Sequence, residues 1–463
     1  MKSFDYNTYL SPFTWRYGSS EMRTIWSEIH KRKLWRKIWV ALAKAQYKQG
    51  LVSKKELDDL IKQQETIDIE KADTFEKEIH HDLMAEIKTY ESQATVGGGK
   101  IHLGATSMDI EDNADSIRYK ESFVIIEKKV QLLITSFAEK IKQYKALPCM
   151  AYTHLQPAEP TTLGYRFCLY AQDLLFDLKL LNFVQTMNKG KGMKGAVGTA
   201  ASYVALLSEE KAQTLEADVL KTLGIESVSI ASQTAPRKIE FFISTVLSSI
   251  AQSLYKFAFD VRIMQSPGFI EWQEPFGKKQ VGSSAMPFKR NPIKSEQICS
   301  LARLITNLAN TSKDNAMHML LERTLDDSAN RRIYLAEMFL ATDTILDSAK
   351  TIIERLVINE KNIEKNLERY GPFAATESLM MHAVKNGANR QTMHELFREQ
   401  SMLAYKTMEE TDINPLEENL LHDKTLFHYL SPEAIKKMLN PRNHLGLAEK
   451  TCTTFLQTLN DEK

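Results

Sequence analysis

Three segments of this 463-residue chain combine small hydroxyl residues with histidine or cations beside helix breakers. They are "HLGATSMD" (His102–Asp109), "THLQPAEPTT" (Thr153–Thr162) and "VGSSAMPFKRNP" (Val281–Pro292). Each is too polar for a core and too poor in charge for an ordinary solvated loop. His154 is a candidate acid or base because imidazole titrates near neutrality, although a lone histidine is more often a hydrogen-bonded structural residue. Ser283 and Ser284 are equally two-sided, since most Gly-Ser-Ser runs are only turns. A serine oxygen becomes a base when its surroundings ionise it, and Lys289 with nearby backbone amides could supply that field. A fourth stretch, "KGKGMKGAVGT" (Lys189–Thr199), has the glycines of a phosphate-cradling loop. No strand precedes it and no Lys-Ser/Thr pair closes it, so a nucleotide-loop reading is weak.

Such groups need a scaffold, and the punctuation of the sequence describes one. No glycine or proline occurs between Gly104 and Pro148, between Pro236 and Pro267, or between Pro292 and Gly371. Unbroken stretches of that length permit long helices. Ile239, Ile243, Val246, Ile250, Leu254, Phe257, Val261 and Met264 step by four and three, which puts them on one helical stripe. Phe242 and Leu247 widen that stripe, as expected of a helix buried in a bundle. A second long helix is expected from about Glu21 to Gln49, capped by Ser19 or Ser20 and stopped at Gly50. No sustained alternation signals a sheet, so the fold class is all-α with at most minor strands. The expected division is 1–111, a central long-helix bundle over 112–364, and 365–463. From Ser266 to Pro292 seven prolines and glycines forbid one continuous helix, while the aromatic content argues against disorder. That segment reads as an active-site loop.

Composition narrows the class. A net charge of +1, with 43% hydrophobic and 26% charged residues, gives no reason to expect a nucleic-acid or membrane partner. No segment has the charge-free length of a membrane span, and the N-terminus lacks a signal-peptide core. Cys149, Cys168, Cys299 and Cys452 are scattered, without metal or redox spacing, and fit reduced thiols in a cytoplasmic protein.

The three polar segments, in this order, resemble the active-site regions of the fumarase/aspartase superfamily, with "GSSAMPFKRNP" as its signature. Together with "ERTLDDSANRR" (Glu322–Arg332), "RYGSSEM" and "HHDLMA", they resemble most the animal-type branch that splits adenylosuccinate. The resemblance runs to about residue 400 and implies β-elimination of fumarate without metal or cofactor. It implies a homotetramer in which the three regions meet from three subunits, with the long helices at its core.

Residue by residue, the resemblance implies Ser283 as general base, with Ser284 the alternative, and His154 as general acid oriented by Glu296. Lys289, Asn291, Thr106 and Ser107 match groups that hold carboxylates, and Thr153, next to the acid, is a further substrate-binding residue. Arg16 and Tyr17 match a nucleotide-binding pair; Arg323, Ser328 and Arg332 match a phosphate and ribose cluster. His81 and Asp82 match residues near the phosphate, and Gln233 a substrate-contacting glutamine. Taken singly, the arginines could be exposed helix cations and the hydroxyls ordinary caps. Trp15, His80, Phe288 and Gln297 depart from the pattern, and the last two touch how the loop is held and how a second substrate is recognised. Other lyase branches, or a helical structural protein descended from such an enzyme, are the competing readings.

Overall fold

The computed structural model describes residues 7–461. Helices dominate, and the only named strands among the described residues form two small two-stranded sheets. Helix α1 (Glu28–Lys48) is followed by α2 (Asp82–Gln93), α3 (Ser107–Tyr144), α4 (Leu163–Met187), α5 (Lys238–Gln265), α6 (Ile293–Met317) and α7 (Ser328–Arg355) among the elements that bear on the site. The 38 residues of α3 span about 57 Å at the α-helical rise.

The stripe read from the sequence is the buried face of α5. Ile243, Val246, Ile250 and Val261 are wholly inaccessible, and Leu254, Phe257 and Met264 nearly so. Each such side chain contributes about 1.5–3 kcal/mol relative to exposure. The expected helix from Glu21 to Gln49 is instead two, Ser20–Ile25 and α1. Ser27 breaks it by capping α1, its hydroxyl accepting from the His30 amide, while Ser19 caps the shorter helix. Trp26 at the break donates to Ser122 Oγ at 3.1 Å, and its ring stacks on Phe339.

The chain forms two compact units. The first comprises 1–130, 176–254 and 300–347; the second comprises 131–175, 255–299 and 348–463. In the first, Trp39, Tyr90, Ile110 and Tyr203 anchor a hydrophobic core, and Glu86 pairs with both Arg32 and Arg36 in its interior. In the second, Ala375, Leu379, Phe397 and Leu420 belong to a separate core.

Two strands of the second unit, β1 (Pro148–Thr153) and β2 (Gln156–Thr162), pair antiparallel around a two-residue turn. A further short pair, Trp272–Gln273 with Val357–Ile358, ties down the start of the non-helical segment. Among the described residues no helix is long and apolar enough to cross a membrane.

Candidate active site

In the first unit most of the residues expected at a nucleotide end lie near helix starts. Arg16 and Tyr17 follow a 3-10 turn at Pro12–Thr14, and the Arg16 guanidinium lies over the Trp15 and Tyr17 rings. The chain is fastened just beyond, where the Gly18 amide donates to Thr344 Oγ1 at 2.7 Å and the Ser19 amide to Asp343 Oδ2 at 2.6 Å. His81 caps α2 through its Nδ1, and Asp82 opens the helix. Ser328 and Arg332 lie on the first turns of α7, and Arg332 Nη2 donates to Asp82 Oδ2 at 2.7 Å. Asp82, Ser328 and Arg332 line one cavity of about 120 Å³ with Glu111, Arg331 and Trp26. Arg323 donates to Asp327 at 2.8 Å. The Gln233 amide donates to the Glu322 carbonyl at 3.1 Å, which sets Gln233 beside Arg323 in the backbone.

Sequence reasoning missed the groups that hold this cluster. Arg331 donates from Nε to both Glu240 oxygens at 2.9 and 3.0 Å, and from Nη2 to Asp115 at 3.0 Å. Arg237 bridges Asp112 at 2.9 Å and Asp327 at 2.6 Å. Burial pushes the Asp115 carboxyl up, but Arg118 and Arg331 outweigh it and hold it below the usual carboxylate range. Glu111 goes the other way: burial first, then Asp82, Asp115 and Asp112, push it up to about 8 against the weaker pull of Arg332. The available signal was position, since Glu111 falls one turn after Ser107 on α3 and hence on the same face.

Thr106 and Ser107 stand at the start of α3. Beside them His102 accepts a hydrogen bond at Nδ1 from the Trp39 indole at 3.1 Å. Burial lowers its pKa to about 4, against the opposing pull of Asp109. His102 is therefore a neutral imidazole with its proton on Nε2.

In the second unit His154 and Leu155 form the turn between β1 and β2, with φ of 54° and 59°. Positive φ at both central residues is what a two-residue type I′ turn requires, and neither residue is glycine. The turn thrusts His154 into solvent between exposed Thr153 and Gln156. The root of the hairpin is firm: Glu271, fully buried, accepts from Tyr152 at 3.0 Å, Arg166 at 3.3 Å and Asn366 at 3.0 Å.

The non-helical segment from Ser266 to Pro292 is fixed at Glu271 and again at Glu274, which accepts from the Lys294 and Ser295 amides at the head of α6. Between Glu274 and α6, Ser283 Oγ accepts from the Ala285 amide at 3.3 Å and the Met286 amide at 3.1 Å. Asn291 Nδ2 donates to the Gly282 carbonyl at 2.8 Å, closing the loop on itself. A methyl group at Gly282 would overlap the Lys289 carbonyl oxygen, so only glycine fits there. Ser284, Lys289 and Glu296 are exposed. Among the described residues of this chain, His154, Ser283 and Glu296 make no hydrogen bond to one another.

The architecture and the first of two family matches define a helical lyase: residues 16–306 match the family described as Lyase. Two solved structures share the fold, a fumarate lyase from Mesorhizobium sp. BNC1 (TM-score 0.84, 22% identity) and the 3-carboxy-cis,cis-muconate lactonizing enzyme from Pseudomonas putida (TM-score 0.86, 21% identity). Each covers 97% of this chain and is itself covered to 99%. Residues 372–455 match the family described as Adenylosuccinate lyase C-terminus. The chain is 38% identical to adenylosuccinate lyase of Schistosoma mansoni and 38% identical to that of Saccharomyces cerevisiae, in each case over 98% of this chain and 95% of the relative. The chain belongs to the adenylosuccinate lyase family.

Proposed function

We propose that this chain splits adenylosuccinate into AMP and fumarate, and splits the succinylated aminoimidazole carboxamide ribotide of purine synthesis in the same way. The observation that carries the reading is the 38% identity, over nearly the whole chain, to proteins of that name. In this reaction a base takes the proton beside a carboxylate, and the electron pair moves into that carboxylate. The intermediate then expels the nitrogen, which an acid protonates. The proton is weakly acidic, so the site must stabilise a doubly charged carboxylate electrostatically. Lys289, Asn291, Thr106 and Ser107 supply cation, amide and hydroxyl for that purpose.

Ser283 is the base and His154 the acid in this reading. Two amide donors on Ser283 Oγ favour its ionised form, a feature supporting Ser283 over Ser284. Arg332 and Ser328 receive the phosphate, with Arg16, Tyr17, His81, Asp82, Gln233 and Arg323 around the nucleotide. Arginine suits this because its fork binds phosphate bidentately.

The enzyme works as a cytoplasmic homotetramer, with Glu296 orienting a His154 contributed across subunits; the division at 111 and 364 separates its three parts. Exposed His154 and exposed Glu296, unjoined within one chain, support an intersubunit site. Absorbance during incubation with adenylosuccinate tests the activity, and light scattering of the active species tests the assembly. A fully active monomer would refute the assembly, and absent turnover would refute the activity.

A further inference from the structure

The glycine-rich stretch Lys189–Thr199 has no part in the reaction just described, yet it is bonded to α3 at several points. Gly192, Gly195 and Gly198 all have positive φ. Successive amides then converge on one point, as in the anion-binding nests of phosphate loops. Here the anion is internal. Asp109 Oδ1 accepts from the Lys194 amide at 3.2 Å and from Lys191 Nζ at 2.6 Å. The Gly195 amide reaches both oxygens, at 3.2 and 3.1 Å. Asp109 and Lys191 are completely buried, and burial draws the Lys191 ammonium below its ordinary range while Asp109 opposes that shift.

The second oxygen faces the candidate site. Asp109 Oδ2 accepts from the Thr106 amide at 3.1 Å and from the Tyr203 hydroxyl at 3.3 Å. Asn113, one turn further along α3, repeats the link: its Nδ2 donates to the Gly192 carbonyl at 3.1 Å, and its Oδ1 accepts from the Gly192 amide at 3.0 Å. The loop therefore clamps the head of α3 from two successive turns.

We propose that Asp109, seated in the glycine-rich nest and held by Lys191 and Tyr203, is a positioning residue that sets Thr106 and Ser107 to receive a substrate carboxylate. The inference rests on the reaction proposed above and adds a residue that never touches substrate. It acts through a hydrogen bond to the Thr106 backbone, so its loss moves carboxylate affinity and leaves nucleotide affinity in place.

The test uses the full-length wild-type enzyme and the variants Asp109→Asn, Thr106→Ala, their double, and Tyr203→Phe, with fumarate and AMP as inhibitors. Asp109→Asn is expected to raise the fumarate inhibition constant about tenfold and to change that of AMP by less than about twofold. The double variant is expected to be no worse than the worse single, because both substitutions break one pathway. Tyr203→Phe removes one donor without disturbing the ion pair, and a rise of about threefold for fumarate is expected. If Asp109→Asn does not fold, Tyr203→Phe decides alone. Equal losses for both inhibitors, additive effects in the double variant, or no fumarate effect in Tyr203→Phe would overturn the proposal. Amide exchange over residues 101–110 reads the clamp without substrate, and unchanged protection in Tyr203→Phe also overturns it. Absent wild-type turnover, by contrast, counts against the reaction and not against the clamp.

Discussion

Arg332 and Asp82, 250 residues apart in the chain, join the first turns of α7 and α2 through one hydrogen bond of 2.7 Å at the mouth of a cavity. The guanidinium keeps further donors free for an anion, and Asp82 fixes its plane. Burial pushes the Asp82 carboxyl up, but Arg332 prevails and holds it below the usual range. Losing a charged hydrogen bond of this kind costs about 1.5–3 kcal/mol, so Arg332→Ala is expected to lower kcat/KM for adenylosuccinate about 10- to 100-fold, chiefly through KM. Arg332→Lys keeps the charge without the fork and should fall between. Steady-state kinetics decides; an unaltered KM in both variants would remove Arg332 from the phosphate site.

Ser283→Ala removes the proposed base and leaves an exposed loop otherwise intact. Turnover is expected to fall about 100- to 10,000-fold, with thermal stability unchanged. Ser284→Ala, whose hydroxyl lies exposed, is expected to retain turnover within about tenfold. The reverse ranking would transfer the role to Ser284.

Leu155 holds a left-handed conformation at φ 59° while its side chain is 60% exposed. The αL region costs a residue with a Cβ about 1–2 kcal/mol, and little burial is lost on truncation. Leu155→Gly should therefore stabilise the protein by up to about 1 kcal/mol, after the added unfolded-state freedom of glycine is subtracted. Urea denaturation reads the change, and a clear loss of stability would show that Leu155 packs in a way its exposure does not indicate.

His102 carries a pH dependence of definite sign. Its folded pKa, about 4, lies below the ordinary value of 6.5, so the unfolded chain binds more protons between those limits. The stabilisation is complete above pH 6.5 and is lost as pH falls from there toward 4. The full difference is on the order of 3 kcal/mol. His102→Asn should flatten the stability profile over that window relative to wild type, as denaturation at a series of pH values would reveal. Parallel profiles would mean that His102 is not the group responsible.

The parts legible in the sequence are those governed by period and punctuation. The stripe from Ile239 to Met264 announced α5 because burial repeats every turn, and seven breakers announced the irregular segment from Ser266 to Pro292. The break at Trp26 and Ser27 was not legible, because a serine cap wins there only with Ser122 and Phe339 to receive the tryptophan. The turn at His154 and Leu155 was hidden for the opposite reason: neither residue favours the conformation it holds. Among the site residues, motif order picked out Asp82, Ser328 and Arg332, which do share a cavity. It passed over Glu111, Arg331 and Asp109, whose roles come from partners up to 216 residues away.

The nest around Asp109 is closed to solvent, whereas Arg332 beside Asp82 is half exposed. Mobile ions screen exposed pairs strongly and buried ones weakly. Ionic strength therefore acts on the two pairs unequally: raising salt is expected to loosen the proposed grip of Arg332 on phosphate while the head of α3 stays clamped. A chloride titration would separate what recognises the nucleotide from what shapes the carboxylate pocket, without changing a residue.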